Sequence, residues 1–270
     1  VAYYVGEAQM DLINFPIGDR RVEFTVPSRP DMGDDGNPFY EQEVLNIIGK
    51  VVRPGDMVVD AGANYGYFTL IMAKLVGPKG LVVSFEPDPV AFAELEQNVE
   101  ANGLQNVMYS DIALWDKDGE KDFWVYPKSG YSSFSKYTGA QKRVVMTRTL
   151  DTLLQFFQQP RFMKLDCEGA EPWILHGAEE ILRKGVDYII AEINYEISDS
   201  FNLSKTLMRD YMASLGYNMY LISIRDGEDY KIVRVPPEQE LVIRCDDVTR
   251  ARQVNVMFSR LSDPLATERI

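Results

Sequence analysis

The sequence predicts a single α/β domain, a mostly parallel sheet with helices on both faces, and three observations predict it. Short continuous apolar runs of strand length recur along the chain, with segments of helical periodicity between them. Turn and cap residues stand at the junctions where such an alternation needs them. A glycine-rich turn follows the first run of the alternation and opens the next helix, the place where a doubly wound sheet binds its ligand.

Taken in order, residues 22–26 read as strand and residues 27–38 as a polar Pro/Gly/Asp stretch. A helix is expected over about 40–51, ended by the turn chemistry of Arg53-Pro54-Gly55-Asp56. Residues 57–60 form the first apolar run, glycines follow, and the next helix carries Phe68, Ile71 and Leu75 on one face. Residues 81–85 form the second run. Asp88 then reads as an N-cap with Pro89 at the first helical position, on a helix that carries Phe92, Leu95 and Val99 and stops at Asn102-Gly103. Further strands are expected over 107–109, 162–165, 187–193 and 219–224, the last ending in an Asp226-Gly227 turn. Helices are expected over 172–184 and from Ser204 to Gly216, the latter carrying Leu207, Tyr211 and Leu215. Residues 116–150 break the rhythm. They read as hairpin material, with a turn at Asp118-Gly119 and strands at 123–126 and 144–147 around a polar loop, 128–141. No repeat or linker divides the chain, so 38–270 is read as one domain with this insertion and 1–37 as an N-terminal extension.

Composition narrows the chemistry. The 270 residues can bury a sizeable core, and 46% hydrophobic with 26% charged residues is ordinary for a globular protein. No apolar run reaches membrane-spanning length, no signal-like segment is present, and Cys167 and Cys245 are too few for a disulfide framework. A cytoplasmic, reducing setting is therefore expected. A net charge of −13 repels polyphosphates, so no nucleic-acid partner is expected. The lone histidine, His176, cannot build a multi-histidine metal site, and beside the stripe of Ile174, Ala178, Ile181 and Leu182 it is given a structural or surface role. The chain begins with Val1, which leaves room for neighbouring domains in a longer chain; a homo-oligomer is equally open.

The turn Asp60-Ala61-Gly62-Ala63-Asn64-Tyr65-Gly66 carries the ligand chemistry. Gly62 lets backbone approach a ligand and Gly66 lets the helix start against it. Twenty residues past Gly66, at the end of the second strand, Glu86 precedes Pro87, and a carboxylate there accepts hydrogen bonds from both hydroxyls of a ribose. The pattern therefore points to a Rossmann-like site for a ribose-bearing cofactor. The glycine spacing is wrong for G-x-G-x-x-G, and Asp60 is unwelcome beside a diphosphate but suits the amino group of a methionine moiety. This favours S-adenosyl-L-methionine over NAD. Past the third strand, Asp111 is placed to accept from an adenine amine while Ile112 packs on the ring.

These residues resemble the FkbM family of methyltransferases. The likeness rests on Asp60-Ala-Gly-Ala-Asn64-Tyr-Gly66-Tyr-Phe-Thr, on Phe85-Glu86-Pro87 and on Leu150-Asp151-Thr-Leu-Leu. Its most specific part is Lys164-Leu-Asp166-Cys-Glu168-Gly169-Ala-Glu171. It spans residue 38 to the end of the sixth strand. It implies the class I methyltransferase fold, seven strands in the order 3-2-1-4-5-7-6, and methyl transfer to a hydroxyl of a sugar, glycan or polyketide-type product. Cys167 stands where the family usually carries an aliphatic residue, which reads as a buried small side chain rather than a reactive thiol.

The acidic block can serve in three ways. Asp166, Glu168 or Glu192 can be the general base for the acceptor hydroxyl. Asp166, Glu192 and Asn194, with Glu196 beyond, can hold a hard divalent ion. Or the block is structural, with Glu171 capping the helix and Asp166 and Glu168 fixing the loop or the methionine amino group. The loop 128–141, with Tyr131, Ser132, Ser133, Phe134 and Tyr137, is read as the wall or lid for a small-molecule or glycan acceptor. The rival readings are a NAD-dependent oxidoreductase and a non-catalytic nucleotide-binding module. A nucleic-acid amino-methyltransferase would carry an Asn/Asp-Pro-Pro-aromatic block where this chain has Asp166-Cys-Glu-Gly.

Overall fold

The computed structural model describes residues 10–17, 20–27, 41–126, 131–136, 138–194, 207–226, 231–234, 243–244, 253–261 and 265. The central apolar runs become strands because both their faces are covered: β3 (Met57–Ala61) and β9 (Phe162–Leu165) are buried at every position. Around them lie β4 (Leu81–Phe85), β5 (Val107–Ser110), β10 (Tyr188–Asn194), β11 (Asn218–Asp226), β12 (Lys231–Arg234), β13 (Ile243–Arg244) and β14 (Gln253–Ser259). The sheet runs β12-β11-β14-β10-β9-β3-β4-β5, with β13 also paired to β11. Its seven central strands, counted along the chain, stand in the order 3-2-1-4-5-7-6. β14 lies antiparallel to β10 and β11, while β5, β4, β3, β9 and β10 are parallel. This is the class I methyltransferase arrangement. The central strand β14, between β10 and β11, is one the sequence pattern did not place.

Two cores flank the sheet. On one face, Val58, Phe162, Ile190 and Met257 pack under α1 (Gln42–Val51), α2 (Tyr67–Val76) and α3 (Pro89–Ala101). The hairpin β1 (Met10–Ile17) and β2 (Arg20–Pro27) adds Ile17, Val22, Phe24 and Val26 to this core. On the other face, Val59, Met163, Ile189 and Phe258 meet α4 (Leu150–Leu154), α5 (Glu171–His176), α6 (Glu179–Lys184) and α7 (Leu207–Ser214). α3 begins as expected: the Asp88 carboxylate accepts from Val90 N at 2.8 Å and Ala91 N at 3.3 Å, ahead of Pro89 at the first position.

The insertion is a three-stranded sheet in the order β6-β8-β7, formed by β6 (Ala113–Leu114), β7 (Gly119–Val125) and β8 (Gln141–Arg148). The helix expected over 172–184 is two helices. At Gly177, between α5 and α6, a Cβ would collide with the Trp115 carbonyl oxygen, and the Gly177 carbonyl accepts from Asp151 N at 3.0 Å. Asp151 then caps α6, its two carboxylate oxygens accepting from Glu180 N at 2.9 Å and Ile181 N at 3.0 Å. Ser204 and Gly227 lie outside the described residues, as do Glu196 and Cys245. No helix among the described residues is long and apolar enough to cross a membrane.

The hairpin is seated on α1 at a glycine: a Cβ on Gly49 would collide with Cγ2 of Ile17. Gly49→Ala is expected to lower stability by about 1–3 kcal/mol through overpacking. Adding Ile17→Ala should recover part of that loss. Urea unfolding of the two single variants and the double variant measures the coupling.

Candidate functional site

The turn after β3 is shaped by its own chain before any ligand is considered. Gly62 and Gly66 take φ of 76° and 93°, left-handed values that favour glycine. A Cβ on Gly62 would collide with the carbonyl oxygen of Asp166, and one on Gly66 would press on Leu95 of α3. These glycines let the turn pack against β9 and α3. Gly62 N and Ala63 N donate to Phe85 O at 2.9 and 3.0 Å, so the turn is held to the end of β4. Asn64 also lies in the left-handed region, at φ 51°. Tyr65 is half-buried and its carbonyl accepts from Asn98 Nδ2 at 2.7 Å.

Glu86 joins this turn to the next. Its Oε2 accepts from Asn64 N at 2.7 Å and its Oε1 from Asp88 N at 2.8 Å, on either side of half-buried Pro87. Burial pushes the Glu86 carboxyl up to about 7 against the pull of those two N–H groups. Each oxygen keeps acceptor capacity beyond the bond it makes. Beyond β5, Asp111 is exposed and Ile112 half-buried, with Ile112 N donating to Ser110 Oγ at 3.3 Å.

Asp60 is fully buried. Its Oδ2 accepts from Thr69 Oγ1 at 2.5 Å, and its Oδ1 has no hydrogen-bond partner among the described residues. Burial raises its pKa, opposed by the Lys164 ammonium and the Thr69 hydroxyl. Asp60 is the register partner of Lys164 across β3 and β9; Lys164 pairs with Ile190, two residues before Glu192, and Glu192 pairs with Asn255 of β14. Side chains alternate along a strand, so Asp60, Lys164, Glu192 and Asn255 stand on one face, in two successive rows. They are 0, 3, 5 and 6% exposed. Lys164 Nζ donates to Asp166 Oδ2 at 2.8 Å and lies 4.5 Å from the Phe68 ring centre. Burial alone would lower its pKa, but the carboxylates of Asp166, Glu41 and Asp60 raise it, so it stays charged.

The acidic block closes the crevice. One carboxylate oxygen each from Asp166, Glu168 and Glu192 lie within 4.8 Å of one another. Asn194 ends β10, half-buried, on the same side of the strand as Glu192. Glu168 and Gly169 take left-handed φ values of 50° and 91°, turning the chain sharply. Glu171 is the first residue of α5 and not its N-cap; its carboxylate reaches back to accept from Cys167 N at 2.6 Å. Burial lifts that carboxyl up to about 8, opposed by the backbone N–H groups of the loop it gathers. Cys167 is half-buried and burial pushes its thiol well up, so it is not a thiolate. His176 is exposed, 3.9 Å from the Tyr211 ring.

Residues 60–219, more than half of the chain, match the methyltransferase FkbM domain. The chain belongs to the FkbM methyltransferase family. The 31-O-demethyl-FK506 methyltransferase FkbM of Streptomyces tacrolimicus is 35% identical over 179 residues, covering 54% of this chain and 68% of that protein. Methyltransferase 1 of Beauveria bassiana is 26% identical over 174 residues, covering 56% of this chain and 69% of that protein. The crystal structure of a methyltransferase FkbM from Methylobacillus flagellatus is 16% identical with a TM-score of 0.46; the matched region covers 81% of this chain and 55% of that one. This FkbM-type chain is thus an S-adenosylmethionine-dependent methyltransferase.

Several residues of the FkbM crevice carried no sequence-based role. Lys164 is one; Glu41, just before α1, is another, its Oε1 accepting from Asn255 Nδ2 at 3.1 Å across 214 residues of sequence. Ser132 is a third. It donates to Asp88 Oδ2 at 2.5 Å and accepts from Tyr126 N at 2.9 Å, fastening the insertion to the rim beside Glu86. Two residues on, Phe134 packs 4.6 Å from Trp115, which stacks on Trp173 of α5 at 4.5 Å. The described part of the expected lid therefore spans from the Glu86 rim to the helix behind the acidic block; residues 128–130 and 137 lie outside the described residues.

A pH dependence follows. The carboxyls of Glu86 and Glu171, ordinarily near 4.5, stand at about 7 and about 8 in the folded state. The folded chain thus holds these protons more tightly than the unfolded chain, and stability is lost as pH rises from about 4.5 towards 8. Each group contributes at most about 1.4 kcal/mol per pH unit across its window. Urea unfolding at intervals from pH 5 to pH 8.5 should show this decline, and Glu171→Gln should flatten its upper part.

Proposed function

We propose that this chain transfers a methyl group from S-adenosylmethionine to a hydroxyl of a sugar, glycan or polyketide-type acceptor. The observation that carries this reading is the crowding of Asp166, Glu168 and Glu192 at 4.8 Å beside the Asp60–Glu86 turns. The residues present fit the cofactor. Glu86, with both oxygens already oriented by N–H donors, suits the two ribose hydroxyls. Asp60 offers the cationic methionine end a buried oxygen that has no hydrogen-bond partner among the described residues, and we assign Asp111 and Ile112, just past β5, to the adenine edge and face. When bound, S-adenosylmethionine supplies an electrophilic methyl carbon and a neutral thioether leaving group.

The chain's own work is orientation, water exclusion and proton removal. Glu168, on its left-handed turn, is the base we assign to the acceptor O–H, with Glu192 holding the acceptor from the next strand. The hydroxyl oxygen forms the new C–O bond, the C–S bond breaks towards sulfur, and the proton passes to the carboxylate. Lys164 already places a cation on Asp166, which weakens the competing reading of a divalent ion there. A carboxylate-lined crevice repels phosphate-rich acceptors and accepts donors such as hydroxyls. The named action of the Streptomyces relative on 31-O-demethyl-FK506 is in line with oxygen as the acceptor atom.

Calorimetric titration tests the reading. S-adenosylmethionine and S-adenosylhomocysteine should bind at micromolar strength, NAD should not, and Glu86→Ala should weaken both by at least about 30-fold, the worth of two charge-assisted bonds. Binding should survive EDTA. In a screen of hydroxyl-bearing acceptors, Glu168→Gln should lower kcat by about 100-fold or more while leaving cofactor affinity within about twofold. NAD binding in place of the adenosyl ligands would contradict the proposal.

A further inference from the structure

Lys164 is a buried cation that methyl transfer does not call for. An ammonium near the departing thioether and the positive sulfonium gives the reaction nothing, and burying it is costly unless carboxylates surround it. They do: Asp166 at 2.8 Å, with Asp60 and Glu41 close enough to hold its proton. Without it, the buried Asp60 and half-buried Asp166 carboxylates would face each other as like charges, each pushing the other towards neutrality. Asp166 is also tied to the glycine turn, its N–H donating to Ala61 O at 3.0 Å and its carbonyl occupying the space a Gly62 side chain would fill. Three carboxylates around one ammonium leave a surplus of negative charge beside the turn. The surplus includes Asp60 Oδ1, buried and without a hydrogen-bond partner among the described residues.

We propose that Lys164 is a positioning residue that holds Asp166 and Asp60 as an aimed anionic pair for the α-ammonium of the cofactor's methionine end. Asp166 then belongs to cofactor binding, and proton removal falls to Glu168. This inference rests on the S-adenosylmethionine reading above. It makes a statement that reading does not: selectivity for the amino-acid end of the cofactor, as distinct from its adenosine end, passes through Lys164.

Two ligands separate the ends. S-adenosylhomocysteine carries the α-ammonium and 5′-methylthioadenosine lacks it, while both keep ribose and adenine. Calorimetry at one fixed pH gives their affinity ratio in the wild type, Lys164→Met and Asp166→Asn. The ratio should fall about tenfold in both variants, with 5′-methylthioadenosine binding changed less than about twofold, which also shows that the fold is intact. If Lys164→Met does not fold, Asp166→Asn decides, since it keeps the shape of the pair and removes one charge. An unchanged or increased ratio, with 5′-methylthioadenosine still bound, would overturn the role of Lys164 while leaving the cofactor reading standing. Failure of the wild type to bind either ligand would overturn both.

Discussion

A charged lysine at 3% exposure in the middle of a parallel sheet is the constraint around which the crevice is arranged. An ammonium out of water must be met by charge, and a fully buried strand such as β9 has no solvent to supply it. The partners therefore come from the neighbours: Asp60 from β3, Asp166 from the end of β9, and Glu41 from the chain entering α1. Each of these is then fixed in turn, Asp60 by Thr69, Glu41 by Asn255, and Asp166 by the glycine turn against its backbone. The polar side chains on one face and the close approach of two loops are consequences of the same burial. A site with surplus negative charge forms at the carboxyl edge of the sheet, where a doubly wound fold gathers its ligands.

The second organising feature is the way loops are joined by side chains that accept backbone N–H groups. Glu86 spans the turns after β3 and β4, Glu171 gathers the loop after β9, and Asp151 carries α4 onto α6. Glu86 and Glu171, both buried, sit well above their ordinary pKa, because N–H dipoles only partly replace water. That cost is accepted where geometry matters most. The crevice between Glu86 and the acidic block is also bridged on its open side by Ser132 and Phe134 of the insertion. The Glu86 rim and the insertion are thus joined through Ser132 and Asp88.

Much of this was legible in the sequence, and the exceptions have physical causes. The strand Leu81–Phe85 and the cap at Asp88-Pro89 were read correctly because local pattern and tertiary role agree there. Glu86 was legible because its distance from the glycine turn is set by one helix and one strand. β14 was missed: an antiparallel strand inserted between two others follows a polar stretch and carries no turn signal of its own. The break at Gly177 was missed because periodicity continues across it, although a glycine inside a helical pattern was a readable warning. Lys164 and the Glu41–Asn255 pair were missed for a different reason. A lysine inside Phe162–Leu165 is silent until the three strands and α1 that bury it are in place, and partners 214 residues apart leave no local trace.

The most direct test of the whole account is a crystal structure of the chain with S-adenosylhomocysteine bound. The account predicts both ribose hydroxyls within hydrogen-bond distance of the Glu86 carboxylate and the α-ammonium between Asp60 and Asp166. It also predicts the sulfur facing the side chains of Glu168 and Glu192. A ligand bound with its ribose away from Glu86, or with its ammonium directed to solvent, would contradict it.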